Sequence, residues 1–328
     1  MTALEHYCHL FARLRRAPGP TWGPSTKRRA PHKPLLLLSI LDLVARGTLT
    51  SGFIDITGDL SELNELFTGY WRRVVPLEQK SSIAFPFSRL HNESFWKLMP
   101  VPGREITPAT LNSISTVLQL RGVAMGARMD EELFLQMQSV DGRSALRHVL
   151  LQSFFTEPAL AALAEEVAIH DRAFEYGLGL LEQVREPVVR DPGESESLPE
   201  AVRNQGFRRA VVSTYDHRCA LCGVRILTSE GYTAVDAAHI IPWKISHNDD
   251  VRNGMALCKL CHWSFDKGML GVAGDYTVLA SRQIRSDPNV PGLLLTLVGR
   301  AILPPADRSL WPAQESLGWH RWQFRLSD

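Results

Sequence analysis

Cys219-Ala-Leu-Cys222 … Asp236-Ala-Ala-His239 … Asn253 … Cys258-Lys-Leu-Cys261-His262 is the stretch that decides how this chain is built. A C-x-x-C pair puts two thiolates on one tight turn, and two such pairs supply the four soft ligands of a closed tetrahedral zinc site. Cys222 and Cys258 lie 36 positions apart. That interval is longer than in the shortest zinc ribbons, so the zinc staples the base of a small insert that carries the His/Asn/His set. Four thiolates leave no open coordination position for a substrate. The Zn²⁺ they imply is structural.

Working outward, Tyr215-Asp-His-Arg-Cys-Ala-Leu-Cys-Gly223, Val235-Asp-Ala-Ala-His-Ile-Ile-Pro-Trp243, Asn253-Gly254 and Leu257-Cys-Lys-Leu-Cys-His-Trp-Ser-Phe-Asp266 together resemble an HNH endonuclease domain, over roughly Phe207 to Gly271. The resemblance implies a ββα-metal fold, in which two strands, a loop and a helix enclose one divalent cation. It also implies that Asn253 holds the loop of the catalytic base and orients the imidazole. His262, directly after Cys261, takes the place of a metal ligand.

The residues read physically agree with this. Thr233 to Ile241 is β-branched and apolar, as a strand is, and Pro242 ends it. Asn253-Gly254 is a turn signal, Met255 to Leu257 a short second strand, and Lys259 to Met269 can run as a helix. In-line hydrolysis of a phosphodiester needs a base to activate water and a cation to neutralise charge on phosphate and leaving oxygen. His239 is the natural base, because a neutral imidazole accepts a proton near pH 7.

One position departs from many HNH enzymes, which carry a second His or an Asp immediately before the base; here it is Ala238. Strand alternation points Asp236 and Ala238 the same way, opposite to His239. Asp236 is therefore a candidate to reach the cation in place of residue 238. Asp266 lies one helical turn beyond His262 on the same face. It either completes the catalytic metal site or is a surface helix residue with a salt-bridge partner. A set of Asp236, His262 and Asp266 is oxygen-rich and suits Mg²⁺ or Mn²⁺.

At 328 residues the chain can hold two domains with separate cores. Its longest apolar stretch, Leu35 to Val44, is interrupted by Ser39 and Asp42 and is too short to cross a bilayer. No basic region followed by an apolar core marks a signal peptide at Met1. With four cysteines committed to metal and Cys8 left single, a disulfide framework is not expected, and the compartment reads as cytoplasmic. The net charge of +1 hides an uneven distribution. Residues 1–104 carry 14 Lys and Arg against 8 Asp and Glu, 105–200 carry 7 against 16, and 201–328 carry 15 against 11. Two basic ends joined by an acidic middle point to two DNA-facing modules and a spacer turned away from DNA. The middle reads as helical from Thr107-Pro108 through Ile169, with few strand signals. Glu186 to Glu200, rich in Pro, Gly, Ser and charge, reads as the linker.

In the first module, Arg28-Arg-Ala-Pro-His-Lys-Pro-Leu-Leu-Leu-Leu38 opens a buried helix after a basic lead. Ala84-Phe-Pro-Phe-Ser-Arg-Leu-His-Asn-Glu-Ser-Phe-Trp-Lys-Leu98 reads as two short strands around a turn containing Asn92. The pair resembles the sulfur-binding domain of McrA-like HNH enzymes, which restrict phosphorothioated DNA, over about residues 1–170. Phe85 stands where that family commonly has Tyr, which keeps the ring and loses a hydroxyl. A pocket for a phosphorothioate can line the sulfur with apolar surface, because desolvating oxygen without a hydrogen bond is costly. Phe85, Pro86 and the stems of Lys33 or Arg89 are candidates for that lining, and the cationic heads with Arg28 and Arg29 for flanking phosphates. His32 is a candidate for a phosphate or base contact, or alternatively a helix cap; Phe87 and Trp96 read as core.

The expected fold class is thus α+β. A mainly helical DNA-reading domain with a small sheet (1–175, including the helical middle) is joined by a linker (176–202) to a zinc-stapled ββα-metal nuclease domain (203–328). The expected function is a modification-dependent restriction endonuclease acting on double-stranded, phosphorothioated DNA with a divalent metal. A nuclease for another mark such as 5-methylcytosine, or for none, remains open, as does a non-catalytic zinc-bound DNA-binding protein. One HNH centre cuts one strand, so a homodimer is expected, with no membrane partner.

Overall fold

The leucine run after Pro34 folds as α2 (His32–Ala45), in which every residue from Lys33 to Val44 is buried. A helix that is apolar all round belongs inside a core. Its two polar interior residues are satisfied: Ser39 Oγ donates to the Leu35 carbonyl at 2.9 Å. The Asp42 carboxylate accepts from the Tyr70 hydroxyl and, at 2.7 Å, from Arg147. Removing one partner from such a buried charged set costs about 3–5 kcal/mol, so this trio fixes how α2 sits among its neighbours.

The computed structural model describes residues 1–326 except 20, 59, 186–197, 229–230, 283 and 285–291. They divide into two units, Met1–Ala168 with Thr228–Tyr232, and Ile169–Leu227 with Thr233–Asp328. The other helices of the first unit are α1 (Ala3–Ala12), α3 (Ser61–Val74), α4 (Ala84–Arg89), α5 (Pro108–Ser113), α6 (Val117–Arg121), α7 (Glu131–Gln138) and α8 (Val140–Phe154). As the Thr107-Pro108 signal predicts, Thr107 caps α5, its hydroxyl accepting from the Thr110 amide at 3.2 Å. A small antiparallel sheet of order β1-β3-β2 joins β1 (Phe53–Asp55), β3 (Ala124–Met129) and β2 (Trp96–Pro100).

Two stretches of this unit differ from the sequence reading. Ala84 to Leu98 is α4, a 3₁₀ turn over Leu90–Asn92 and then β2, rather than two strands. Pro86 falls in the first turn of α4, where its missing N–H is not needed, so Phe-Pro-Phe is compatible with a helix start. Phe87 and Trp96 are core, as expected: their rings meet edge to face at 5.0 Å, and Trp96 Nε1 donates to the Phe87 carbonyl at 3.1 Å. The second difference is β3, the central strand, which lies inside the stretch that reads as helical. Its Gly126 lets β1 approach, since a Cβ there would meet the Ile54 carbonyl at 2.2 Å.

In the second unit, the end of α9 (Glu157–Arg185) crosses α10 (Glu200–Thr214) at backbone contact. A Cβ on Gly206 would meet the Ala173 carbonyl at 2.7 Å and the Tyr176 ring at 2.8 Å. Tyr176 and Leu180, in the span the sequence reading gives to a linker, therefore join the second core. Residues 186–197 of the expected linker lie outside the described residues.

β4 (Val235–His239) pairs antiparallel with β5 (Gly254–Cys258), placing His239 opposite Gly254. Between them lies α11 (Trp243–Ser246), and α12 (Lys259–Asp266) packs against both strands. This is the ββα arrangement that the motif predicts. Gly254 is extended (φ −130°), so it does not serve a left-handed turn. Crowding explains it, because a Cβ would meet Val211 Cγ2 at 2.7 Å and Phe207 Cζ at 2.8 Å. A hairpin of β6 (Leu270–Val272) and β7 (Val278–Ala280), then α13 (Gly292–Leu295) and α14 (Gln314–Phe324), complete the unit. The C-terminal segment packs on the Cys219–Cys222 turn, where Leu303 N donates to the Ala220 carbonyl at 2.8 Å. Among the described residues no helix is long and apolar enough to cross a membrane.

Candidate functional site

The four cysteines converge from two elements. Cys219 and Cys222 lie on the turn after α10; Cys258 ends β5 and Cys261 sits in the first turn of α12. Their Sγ atoms lie within 4.8 Å of one another, with Cys222 and Cys258 at 3.7 Å. A zinc tetrahedron with bonds of about 2.3 Å has sulfur–sulfur edges of about 3.8 Å, so the set fits Zn²⁺. Burial pushes the Cys222 thiol up to about 12. Hydrogen bonds from Cys258 and Cys261 hold Cys219 down, and those with Cys219 and Cys258 push Cys261 up. Four sulfurs this close cannot all be thiolates without a cation among them.

His239 closes β4. Its ring stacks on Phe207 of α10, with centroids 3.8 Å apart and planes within 6°. Its Nε2 faces Asp249 Oδ1 at 2.6 Å. Asp249 is only 4% exposed, and its Oδ2 accepts from the Tyr176 hydroxyl at 2.9 Å. The Arg203 guanidinium stands 3.7 Å from the same oxygen and lies 3.8 Å over the Trp243 ring. Asn253 is buried, and its side chain bonds the loop after β4. It accepts from Ile241 N at 3.0 Å and donates to the Ile241 and Asn248 carbonyls, each at 3.0 Å. These bonds hold the loop that follows His239, and none of them reaches the imidazole.

His262 Nε2 and Asp266 Oδ2 are 3.5 Å apart on α12, and burial raises the Asp266 carboxyl while His262 lowers it. Asp236 is engaged elsewhere, with Arg208 of α10 at 2.9 Å and Lys259 at 3.4 Å. Among the described residues, the cysteines are the only group of three or more His, Cys, Asp or Glu close enough to share an ion. Asp236, His262 and Asp266 are thus not gathered as a three-ligand set, and Asp236 faces Arg208 and Lys259 instead. His247 is exposed and stacks on Trp243 at 5.3 Å.

In the first unit, His32 is the first residue of α2 and sits in a cup of aromatic rings. Its centroid lies 5.2 Å from Trp22, 4.7 Å from Trp71 and 4.9 Å from Phe85. Burial pushes its imidazole down to about 4, so it is neutral near pH 7, and its buried Nδ1 has no hydrogen-bond partner among the described residues. Phe85 forms the open wall at 37% exposure, with the Arg89 guanidinium 5.4 Å over its ring. Arg89 also donates to Asn112 Oδ1 at 2.6 Å. Arg28 and Arg29 are exposed. Lys33 and Pro86 stand differently from the sequence expectation. Lys33 is buried with its ammonium on Glu93 at 2.5 Å, so its head is not available to a phosphate. Pro86, within α4, is buried rather than open to a ligand.

Several residues of both sites were not read from the sequence. Asp249 carries a faint signal, as an acidic pair with Asp250 in the short loop before Asn253. Trp22 and Trp71 carry none, since only the fold brings them to His32.

Comparison with known proteins matches residues 21–172 to the family of ScoMcrA-like DNA sulfur-binding domains and residues 219–273 to the HNH endonuclease family. Among solved structures, a chain titled "Modification dependent TagI restriction endonuclease" is similar at 22% identity and a TM-score of 0.29. The likeness covers 42% of this chain and 44% of that one. No curated protein matches the chain.

Proposed function

We propose that this chain, an McrA-like HNH nuclease with an N-terminal DNA sulfur-binding domain, recognises phosphorothioated double-stranded DNA and hydrolyses phosphodiesters near the mark. The observation that carries the reading is the aromatic cup around His32. A sulfur in place of a non-bridging oxygen keeps the charge but is larger, more polarizable and less hydrated, so an apolar wall costs it less than it costs oxygen. Phe85 offers that wall, His32 a neutral imidazole, and Arg28, Arg29 and Arg89 the charge for flanking phosphates.

Binding of matched duplexes, followed by fluorescence anisotropy, tests this. The Rp phosphorothioate duplex should bind about 10-fold or more tighter than the unmodified one, which corresponds to about 1.4 kcal/mol. Phe85→Ala should erase the difference, while Arg28→Ala should weaken both duplexes alike. Equal affinity of the wild-type protein for the two duplexes would discard the sulfur reading.

Cleavage is assigned to His239. With Nε2 directed at Asp249, Nδ1 is the proton acceptor for a water attacking phosphorus in line. A bound Mg²⁺ or Mn²⁺ would neutralise charge on the phosphate and leaving oxygen, and His262 with Asp266 would hold it. Asn253 keeps the loop that presents the base in place. Two strands require two such centres, so the working form is a homodimer. Light scattering should show a dimer on modified DNA; a monomer both free and bound would refute that form.

A further inference from the structure

His239 was expected as a lone base oriented by Asn253, yet Asn253 spends its side chain on loop backbone and the imidazole is held by another group. We propose that Asp249 is the positioning residue of the nuclease, fixing both the ring orientation and the tautomer of His239. This deepens the reading above and rests on it.

The geometry divides the two carboxylate oxygens. Oδ1 takes the His239 Nε2–H at 2.6 Å, and Oδ2 takes the Tyr176 hydroxyl at 2.9 Å with Arg203 at 3.7 Å. A buried carboxylate keeps its charge only where such donors surround it. Tyr176 and Arg203 come from the two helices that Gly177 and Gly206 bring into backbone contact, so the carboxylate is held by rigid elements rather than by its own loop. Phe207, also on α10, fixes the plane of the ring by stacking. An imidazole pinned at Nε2 and on one face has one nitrogen left, Nδ1, to take a proton from water. When water gives its proton to Nδ1, the imidazolium forms against a fixed negative charge. The proton goes from water to Nδ1, the new P–O bond forms as the leaving P–O bond breaks, and Asp249 stays ionised throughout.

Asp249→Asn keeps shape and removes charge, and its carboxamide can turn an N–H toward Nε2, which forces the other tautomer. The expected result is a fall in kcat of about 10²–10⁴-fold, with DNA affinity and zinc content unchanged. Tyr176→Phe, which leaves the carboxylate in place, should lower kcat by a smaller factor. Histidine ¹⁵N spectra of the wild-type protein should show His239 protonated at Nε2, and those of Asp249→Asn should show the proton at Nδ1. Unchanged kcat in Asp249→Asn, or wild-type His239 protonated at Nδ1, would overturn the proposal. Should Asp249→Asn fail to fold, the wild-type spectrum and Tyr176→Phe still decide it. If the wild-type protein cuts no duplex, the nuclease reading fails, whereas the tautomer continues to test Asp249 separately.

Discussion

Cys258→Ser will cost the second unit its fold, not merely its rate. Cys258 ends β5, the strand that sets the register of β4, and Cys261 opens the helix that carries His262 and Asp266. The turn after α10 meets β5 through the Ala220 amide on the Ala256 carbonyl at 2.8 Å and meets the helix start through the cysteine sulfurs, which an ion would lock together. Structural zinc contributes about 10–16 kcal/mol of apparent binding free energy, against a whole-domain stability of about 5–15 kcal/mol. The variant should hold no stoichiometric zinc, lose its cooperative melt and be digested within residues 203–328, and a strong chelator should have the same effect on the wild-type protein. A wild-type melt and nuclease activity in the zinc-free protein would mean that the thiols pack as an ordinary core.

The second large effect is on chemistry. His239→Ala should reduce cleavage by about 10²–10⁴-fold while leaving duplex affinity and zinc content intact. The ring is partly exposed; its truncation removes the stack on Phe207 and the contact with Asp249 but leaves the cysteine cluster untouched. Loss of Asp236 should matter less, since its carboxylate serves Arg208 and Lys259. Single-turnover cleavage beside equilibrium binding separates these cases: undiminished cleavage by His239→Ala would remove it as the base.

Much of the second unit was legible because its chemistry is local. C-x-x-C pairs fix their own turns, and β4, β5 and α12 each carry their period and their stops within a few residues. What escaped was set by tertiary contact. Asp249 looks like any loop acid until Tyr176, from a helix about 70 residues earlier, closes on it. Gly254 reads as a turn and is in fact required by Phe207 and Val211. In the first unit, Phe-Pro-Phe has strand-forming residues, but a proline in a first helical turn is equally comfortable, and the neighbours chose the helix. β3 was hidden because Gly126 weakens the strand pattern that the sheet needs it for. Lys33 illustrates the remaining gap: a basic residue beside a DNA-reading motif looks like a phosphate contact, until Glu93 is found on its ammonium.

The most direct measurement is cleavage of three matched duplexes, unmodified, Rp phosphorothioated and 5-methylcytosine-containing, with Mg²⁺ or Mn²⁺ and with His239→Ala alongside. The account predicts cutting of the phosphorothioate duplex alone, lost in His239→Ala. Equal cutting of all three duplexes, or cutting that survives the substitution, would contradict it.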